Sequence, residues 1–279
     1  MRSRHHVPWR AAGTSTERRH SADEVVRKTG WVFNNRSDLN LAEFVETGNH
    51  ETLAYLTAFD LADDRLASQT LIEIGSGIGR MTASFSRMFS RVIACDLDAA
   101  FLERCRETVA QYGRPERLQT SHAPDGRRLA VADGTGDLTF SYITLQHCDR
   151  DDALALVAEA VRVTRGGGHV ALNFRTWTSK DVALWPAGKF VRALWRVPKL
   201  GSAIAKHRSA VRLGWQANRL SPTEVMAVVG SRVSDVKIVR SPKRRSFAIA
   251  GTSDESFEGV HPSHWWLVAT VIGPTPSAA

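Results

Sequence analysis

The sequence predicts an α/β fold, a doubly wound and mostly parallel sheet with helices on both faces, and three observations carry that reading. First, the apolar run Leu71-Ile72-Glu73-Ile74 enters the glycine-rich turn Gly75-Ser76-Gly77-Ile78-Gly79, and an amphipathic segment leaves it. That is strand, tight turn and helix. Second, Val92-Ile93-Ala94-Cys95-Asp96 is another apolar run and ends in a carboxylate. The two together outline the nucleoside-binding half of such a domain. Third, strand-like and helix-like patterns go on alternating to about residue 175, as crossover connections require.

Residues 1–22 mix Arg, His, Ser and Thr with little apolar content and read as a disordered basic tail. From Asp23 the pattern turns helical. Phe44–Gly48 reads as a loop, followed by a helix from about His50 to Leu61. Strands are expected at Thr70–Ile74, Arg91–Cys95, Leu118–His122, Asp137–Ile143 and His169–Phe174. Between them lie helices at Arg80–Met88, Ala99–Tyr112 and Asp151–Thr164. Gly113 with Pro115 supplies a stop signal, and Gly166-Gly167-Gly168 reads as a turn. Ser221-Pro222-Thr223-Glu224 is a capping box with proline at the first helical position. Val233–Val239 and Trp265–Ile272 add a late pair of strands, joined without a full crossover helix and so antiparallel at the edge. The expected sheet has seven strands. The core spans 23–175 and is completed by 221–273, with a helical insertion at 176–220 after the fifth strand.

At 279 residues, 43% hydrophobic and 24% charged, the chain has the composition of a globular protein with a substantial core. No run approaches the ~18 apolar residues of a membrane span, and the basic N-terminus lacks the apolar centre of a signal peptide. Cys95, Cys105 and Cys148 are scattered, which suggests neither a disulfide framework nor a metal site, and a cytoplasmic location is the default. The formal charge of +8 is regional: residues 176–220 hold nine Lys or Arg against Asp181, and four of the eight tryptophans.

Glycines at 75, 77 and 79 let a ligand approach the backbone and the helix approach the strand. Free N–H groups at the following helix favour a negative group. Asp96 is placed to accept hydrogen bonds from a ribose diol. A dinucleotide would fit this much. Glu73, inside the first strand, suits a ligand that is cationic near that point and would repel a diphosphate.

The segments E-I-G-S-G-I-G-R, C-D-L-D, P-D-G, G-D-L-T-F-S-Y-I-T-L-Q-H and R-V-T-R-G-G-G resemble class I S-adenosylmethionine-dependent methyltransferases over roughly residues 44–175. The resemblance implies a Rossmann-like seven-stranded sheet with an antiparallel last strand. It implies that Gly75, Gly77 and Gly79 approach the methionine and ribose of S-adenosylmethionine, that Glu73 faces the cofactor's positive side through the turn, that Asp96 holds the ribose hydroxyls and that Asp125 lies beside adenine. Phe44–Gly48 would cover the cofactor.

The expected activity is therefore methyl transfer. One reading is O-methylation of a small-molecule or glycan/lipid hydroxyl, with His147 as base and Gln146 and Tyr142 in the pocket. Another is N- or C-methylation of a metabolite or RNA. A third is a non-catalytic membrane- or nucleic-acid-binding protein on a vestigial fold. The insertion reads as a cap over the site. Its Trp residues are expected at a membrane interface and its Lys and Arg toward anionic headgroups, a partner favoured over nucleic acid.

Overall fold

The computed structural model describes residues 20–27, 39–195, 197, 200–204 and 207–273. Most of the expected N-terminal tail therefore lies outside the described residues. Residues 22–27 are helical, and Ala22, Val25 and Val26 are buried.

Eight strands form one sheet: β1 (Thr70–Ile74), β2 (Arg91–Asp96), β3 (Leu118–His122), β4 (Gly136–Ser141), β5 (Thr164–Arg175), β6 (Val233–Arg240), β7 (Ser253–Ser256) and β8 (His264–Val271). Their order is β3-β2-β1-β4-β5-β8-β6-β7. β1 to β5 pair in parallel, and β8 runs antiparallel to both β5 and β6. β7 is one strand more than the seven expected. It is four polar residues long, Ser-Asp-Glu-Ser, and pairs with β6 at the edge. With no apolar residue in it, no hydrophobic pattern announces it.

The main helices are α1 (Leu41–Ala58), α2 (Thr82–Met88), α3 (Ala99–Tyr112), α4 (Arg150–Val163), α5 (Ser179–Leu194), α6 (Leu200–Ile204), α7 (Arg208–Gly214) and α8 (Pro222–Val229). Capping boxes start α1 (Asn40 with Glu43), α5 (Thr178 with Asp181) and α8 (Ser221 with Glu224), each cap contributing about 1 kcal/mol. Phe44–Gly48 is thus the second turn of a helix rather than a loop. The Asn40 cap starts α1 nine residues before the expected position, and Gly48 is kept inside it because a side chain there would strike the Arg80 carbonyl. The Gly166–Gly168 run lies inside β5, where the register with β4 shifts, instead of forming a turn before it.

Alternation along the strands sorts the core into two layers. Ile72, Ile74 and Ile93 pack with α4 and α8 residues such as Val157, Val161 and Val225. Leu71 and Val92 face the other way, against Phe85, Phe89 and α1 residues Tyr55 and Leu56. The order 3-2-1-4-5 reverses direction between β1 and β4, so the crevice of a doubly wound sheet opens at the carboxyl ends of those two strands.

Candidate active site

A cavity of about 320 Å³ lies at that crevice. On the β1 side it is lined by Glu73, Gly75, Ser76, Gly77 and Arg80, with Phe44 from α1 and Leu97 beyond β2. On the β4 side it is lined by Tyr142, Thr144, Gln146 and His147, and the insertion closes it with Arg212, Trp215 and Gln216.

The glycines divide their tasks. Gly75 has φ +79°, and a Cβ there would lie 2.1 Å from the Thr144 side chain, so the turn fits against the β4 loop only without one. Gly77, at φ +55°, would meet nothing within 4 Å; its bare face opens onto the cavity. Gly79 does not line the cavity and instead packs against Cys105 of α3. The Asp96 carboxylate, at the end of β2, accepts from the Gly77 N–H at 2.9 Å and from the Asp98 N–H at 2.9 Å. It therefore braces the open turn from behind.

Glu73 alternates onto the face covered by α2, where the Thr82 hydroxyl donates to it at 2.6 Å. It is only 5% exposed, and burial pushes its carboxyl up to about 7 against the opposing Thr82 hydrogen bond and Arg80 charge. A cationic ligand beside it would relieve that cost. Arg80 is held by Glu51 and by the Thr47 hydroxyl, and its guanidinium lies 5.8 Å from the ring centres of both Phe44 and Tyr142. The early start of α1 is what brings Phe44, Thr47 and Glu51 onto the site.

Two buried polar atoms on the wall have no protein partner, Ser76 Oγ and Gln146 Oε1, and a third, Gln216 Oε1, comes from the insertion. Buried polar atoms are ordinarily hydrogen-bonded, so a movement of the wall that uncovered these three would offer a polar ligand partners. The three thiols do not contribute reactivity: burial pushes Cys95, Cys105 and Cys148 each up to about 12.

His147 lies on the cavity wall with both ring nitrogens engaged by Trp215. Its Nδ1 is 3.0 Å from the Trp215 carbonyl, and the Trp215 indole N–H donates to its Nε2 at 2.8 Å. A carbonyl only accepts and an indole N–H only donates, so the ring is the neutral Nδ1–H tautomer. Asp125 is exposed and outside the lining, where it accepts from the N–H groups of Arg127 and Arg128 in a turn after β3. His207 caps α7 and does not line the cavity. Among the described residues no group of His, Cys, Asp and Glu is arranged to hold a metal ion.

The insertion is pinned to the core at several points, Trp215 on His147 and Asn218 on the Leu145 and Cys148 carbonyls among them, and Asp181 anchors its first helix. Asp181 receives Arg175 at 3.1 Å and Arg219, while burial opposes its ionisation; the Thr178 and Arg219 hydrogen bonds outweigh that and hold it down at about 2. The insertion's tryptophans are mostly turned inward, contrary to expectation. Trp195 is buried, Trp185 lies under the guanidinium groups of Arg192 and Arg219, Trp215 holds His147, and Trp177 alone is exposed, at 43%. Trp215, Gln216 and Arg212 were not singled out from sequence as site residues. They stand some seventy positions from His147, and no periodicity links them to it.

Residues 72–172 match the family model described as "Methyltransferase domain". Among curated proteins the chain is similar to a demethylmenaquinone methyltransferase of Thermobifida fusca, 33% identical over 40% of this chain and 45% of that protein. It is also similar to an rRNA methyltransferase of Streptomyces thermotolerans, 26% identical over 50% of this chain and 49% of that one. The chain thus spans about half the length of these relatives. Among solved structures, magnesium protoporphyrin IX methyltransferase from Synechocystis, with bound SAH, superposes with a TM-score of 0.54 at 14% identity, covering 89% of this chain and 97% of that one. That likeness concerns the fold.

Proposed function

We propose that the chain is an S-adenosylmethionine-dependent methyltransferase whose acceptor is a hydroxyl on a small molecule, glycan or lipid, a reading that starts from the match of residues 72–172 to the methyltransferase-domain model. The observation that carries the cofactor is the conjunction of the bare Gly77 face with the buried Glu73 carboxylate on one wall of one cavity. The residues present fit the group. Gly75 and Gly77 allow the backbone to approach it, Ser76 Oγ and Gln146 Oε1 await polar partners, and Glu73 gains from a positive charge. Asp96 holds the turn for the ribose and, with Leu97, bounds that end; Gly79 keeps the turn against α3. Asp125 stands outside the lining with one carboxylate oxygen, Oδ1, engaged in a turn, and this reading does not use it. Bound there, S-adenosylmethionine supplies a methyl group on a cationic sulfur.

The chain's own contribution is alignment, exclusion of water and placement of a proton acceptor. Aligning acceptor and methyl can alone supply much of the acceleration. Phe44, Tyr142 and Trp215 wall the cavity with aromatic surface. His147 has the Nδ1–H tautomer that a base at Nε2 needs, and its ring orientation is fixed by the Trp215 carbonyl. This favours a hydroxyl acceptor over carbon. Titration calorimetry with S-adenosylmethionine tests the cofactor, and methylation of a hydroxyl substrate lost in His147→Ala but retained in His207→Ala tests the base.

A specific observation favours peripheral contact of the insertion with an anionic membrane. Six of the eight large apolar side chains exposed among the described residues lie between 177 and 200. Val182 and Phe190, each 65% exposed, stand within about 80° of each other round α5, with the exposed Lys189 on the same face. It is this outer face, rather than the tryptophans, that would meet lipid. Among the described residues no helix is long and apolar enough to cross a membrane.

A further inference from the structure

The contact between Trp215 and His147 has a chemical direction. Nδ1–H donates to a backbone carbonyl, which leaves the Nε2 lone pair pointing away from the anchor, and a donor, the indole N–H, sits on that lone pair at 2.8 Å. The Gln146 amide nitrogen approaches the same atom at 3.4 Å, leaving its Oε1 buried with no protein partner. Gln216, next in sequence to Trp215, likewise has a buried Oε1 without a partner on the same wall. The side of the cavity away from the glycine turn therefore holds one acceptor occupied by a residue of the insertion, His147 Nε2, and two amide oxygens, Gln146 Oε1 and Gln216 Oε1, that lack a protein partner and are covered until the wall moves. A ligand that satisfies them must bring several O–H or N–H donors and gains by pairing them, whereas a thiolate or a carbon nucleophile leaves them as unpaired as they are in the free protein.

We propose that the Trp215 indole N–H holds the place of the acceptor's own hydroxyl, and that the acceptor is a molecule with neighbouring hydroxyl groups. One hydroxyl displaces the indole from His147 Nε2 and the others donate to Gln146 Oε1 and Gln216 Oε1. This rests on the methyltransferase reading and narrows its substrate class. Trp215 is a positioning residue in two senses. Its carbonyl keeps the tautomer and the ring plane of His147 while its side chain leaves, and its side chain excludes ligands that cannot replace a hydrogen-bond donor. The cavity of about 320 Å³ lies at the lower end of the range for small-molecule sites, so displacing the indole also enlarges the room for an acceptor beside a cofactor.

The test is histidine-ring 15N NMR with diethyl pyrocarbonate modification, mapped by peptide mass, on the full chain and on Trp215→Phe, which keeps the carbonyl and an aromatic ring. In the variant, His147 keeps its Nδ1–H, its Nε2 shift moves toward that of an unbonded nitrogen, and its carbethoxylation rises about tenfold, the worth of one hydrogen bond. An unchanged Nε2 shift and rate in the folded variant overturns the inference. The wild type gives a second measurement that needs no substitution. Titration with methyl α-glucoside as polyol probe should move the Trp215 indole N–H resonance and that of His147 Nε2, whereas toluene should not. Movement with toluene alone, or with neither probe, overturns the inference. Calorimetry with S-adenosylmethionine on the same samples keeps the two readings apart. Absent binding sinks the methyltransferase reading, while normal binding with an indifferent His147 sinks only the placeholder.

Discussion

At the scale of residues, the two cavity glycines should separate fold from function. Gly75→Ala adds a methyl at 2.1 Å from Thr144 at a positive φ, so it should cost about 3 kcal/mol of stability from strain and overpacking together. Gly77→Ala has open space and only the positive φ against it, about 1 kcal/mol. Its larger effect should be on S-adenosylmethionine affinity, measured by calorimetry, because the added methyl stands where the ligand must approach. Equal loss of affinity per unit of stability in the two variants would contradict this division. Glu73 gives a pH dependence with a definite sign. Its folded value near 7 is raised, so the stability it contributes is fully present below its ordinary value of 4.5 and is lost as pH rises through about 7. Glu73→Gln, which mimics the neutral acid, should therefore stabilise the free protein at pH 8 by up to about 3 kcal/mol and leave it unchanged at pH 4, by denaturant unfolding. Binding runs the other way. A cationic ligand needs the ionised carboxylate, so wild-type affinity should fall about tenfold per pH unit below 7, a slope that Glu73→Gln removes.

At the scale of elements, the insertion depends on Asp181. Removing it leaves Arg175 and Arg219 facing each other without their shared carboxylate, and breaking a buried pair typically costs about 3 kcal/mol or more. Asp181→Ala should make α5 to α7 susceptible to limited proteolysis while the sheet keeps its far-ultraviolet signal. Because its carboxyl is held down at about 2, the anchor's stabilisation is present above the ordinary value of 3.8 and is lost as pH falls through about 2. In wild type, proteolysis by an acid protease should therefore open the insertion between about pH 4 and pH 2 before the core. Whether sequence reveals such an element depends on how local its cause is. β1 and α3 have the bounds expected from sequence, because an apolar run and a terminal Gly-Pro signal define them within a few residues, and β3 has them too although only Leu118 in it is apolar. α1 starts early because of a side-chain cap at Asn40, and β7 exists only by pairing with β6. The roles of Trp185 and Trp215 depend on arginines and a histidine far along the chain. A count of Trp and Arg locates the insertion but cannot say which way its side chains face.

At the scale of the whole molecule, the cavity joins parts of the chain that the sequence separates. Glu73, Gly75, Gly77 and His147 come together on it as the motif spacing suggests, and Asp96 supports it through the Gly77 N–H. Asp125 and Gly79 stand off it, one with its Oδ1 in a turn and the other packed against a helix. α1 and the insertion close the two ends, and the outer face of α5 looks outward from the closing element. Binding to vesicles of anionic lipid should therefore weaken with salt, and Phe190→Asp or Val182→Asp should each lower it about tenfold or more. Neither should change thermal stability, since both side chains are 65% exposed. Sedimentation with vesicles of neutral lipid is the control, and equal binding by the variants would contradict the assignment of that face. The account as a whole rests on the glycine turn and its bracing carboxylate holding S-adenosylmethionine, and titration calorimetry of the wild type and Asp96→Ala tests it most directly. The predicted result is one-to-one binding by the wild type, weakened at least about tenfold when the Gly77 and Asp98 N–H groups lose their shared partner. No binding by the wild type, or undiminished binding by a folded Asp96→Ala, would contradict it.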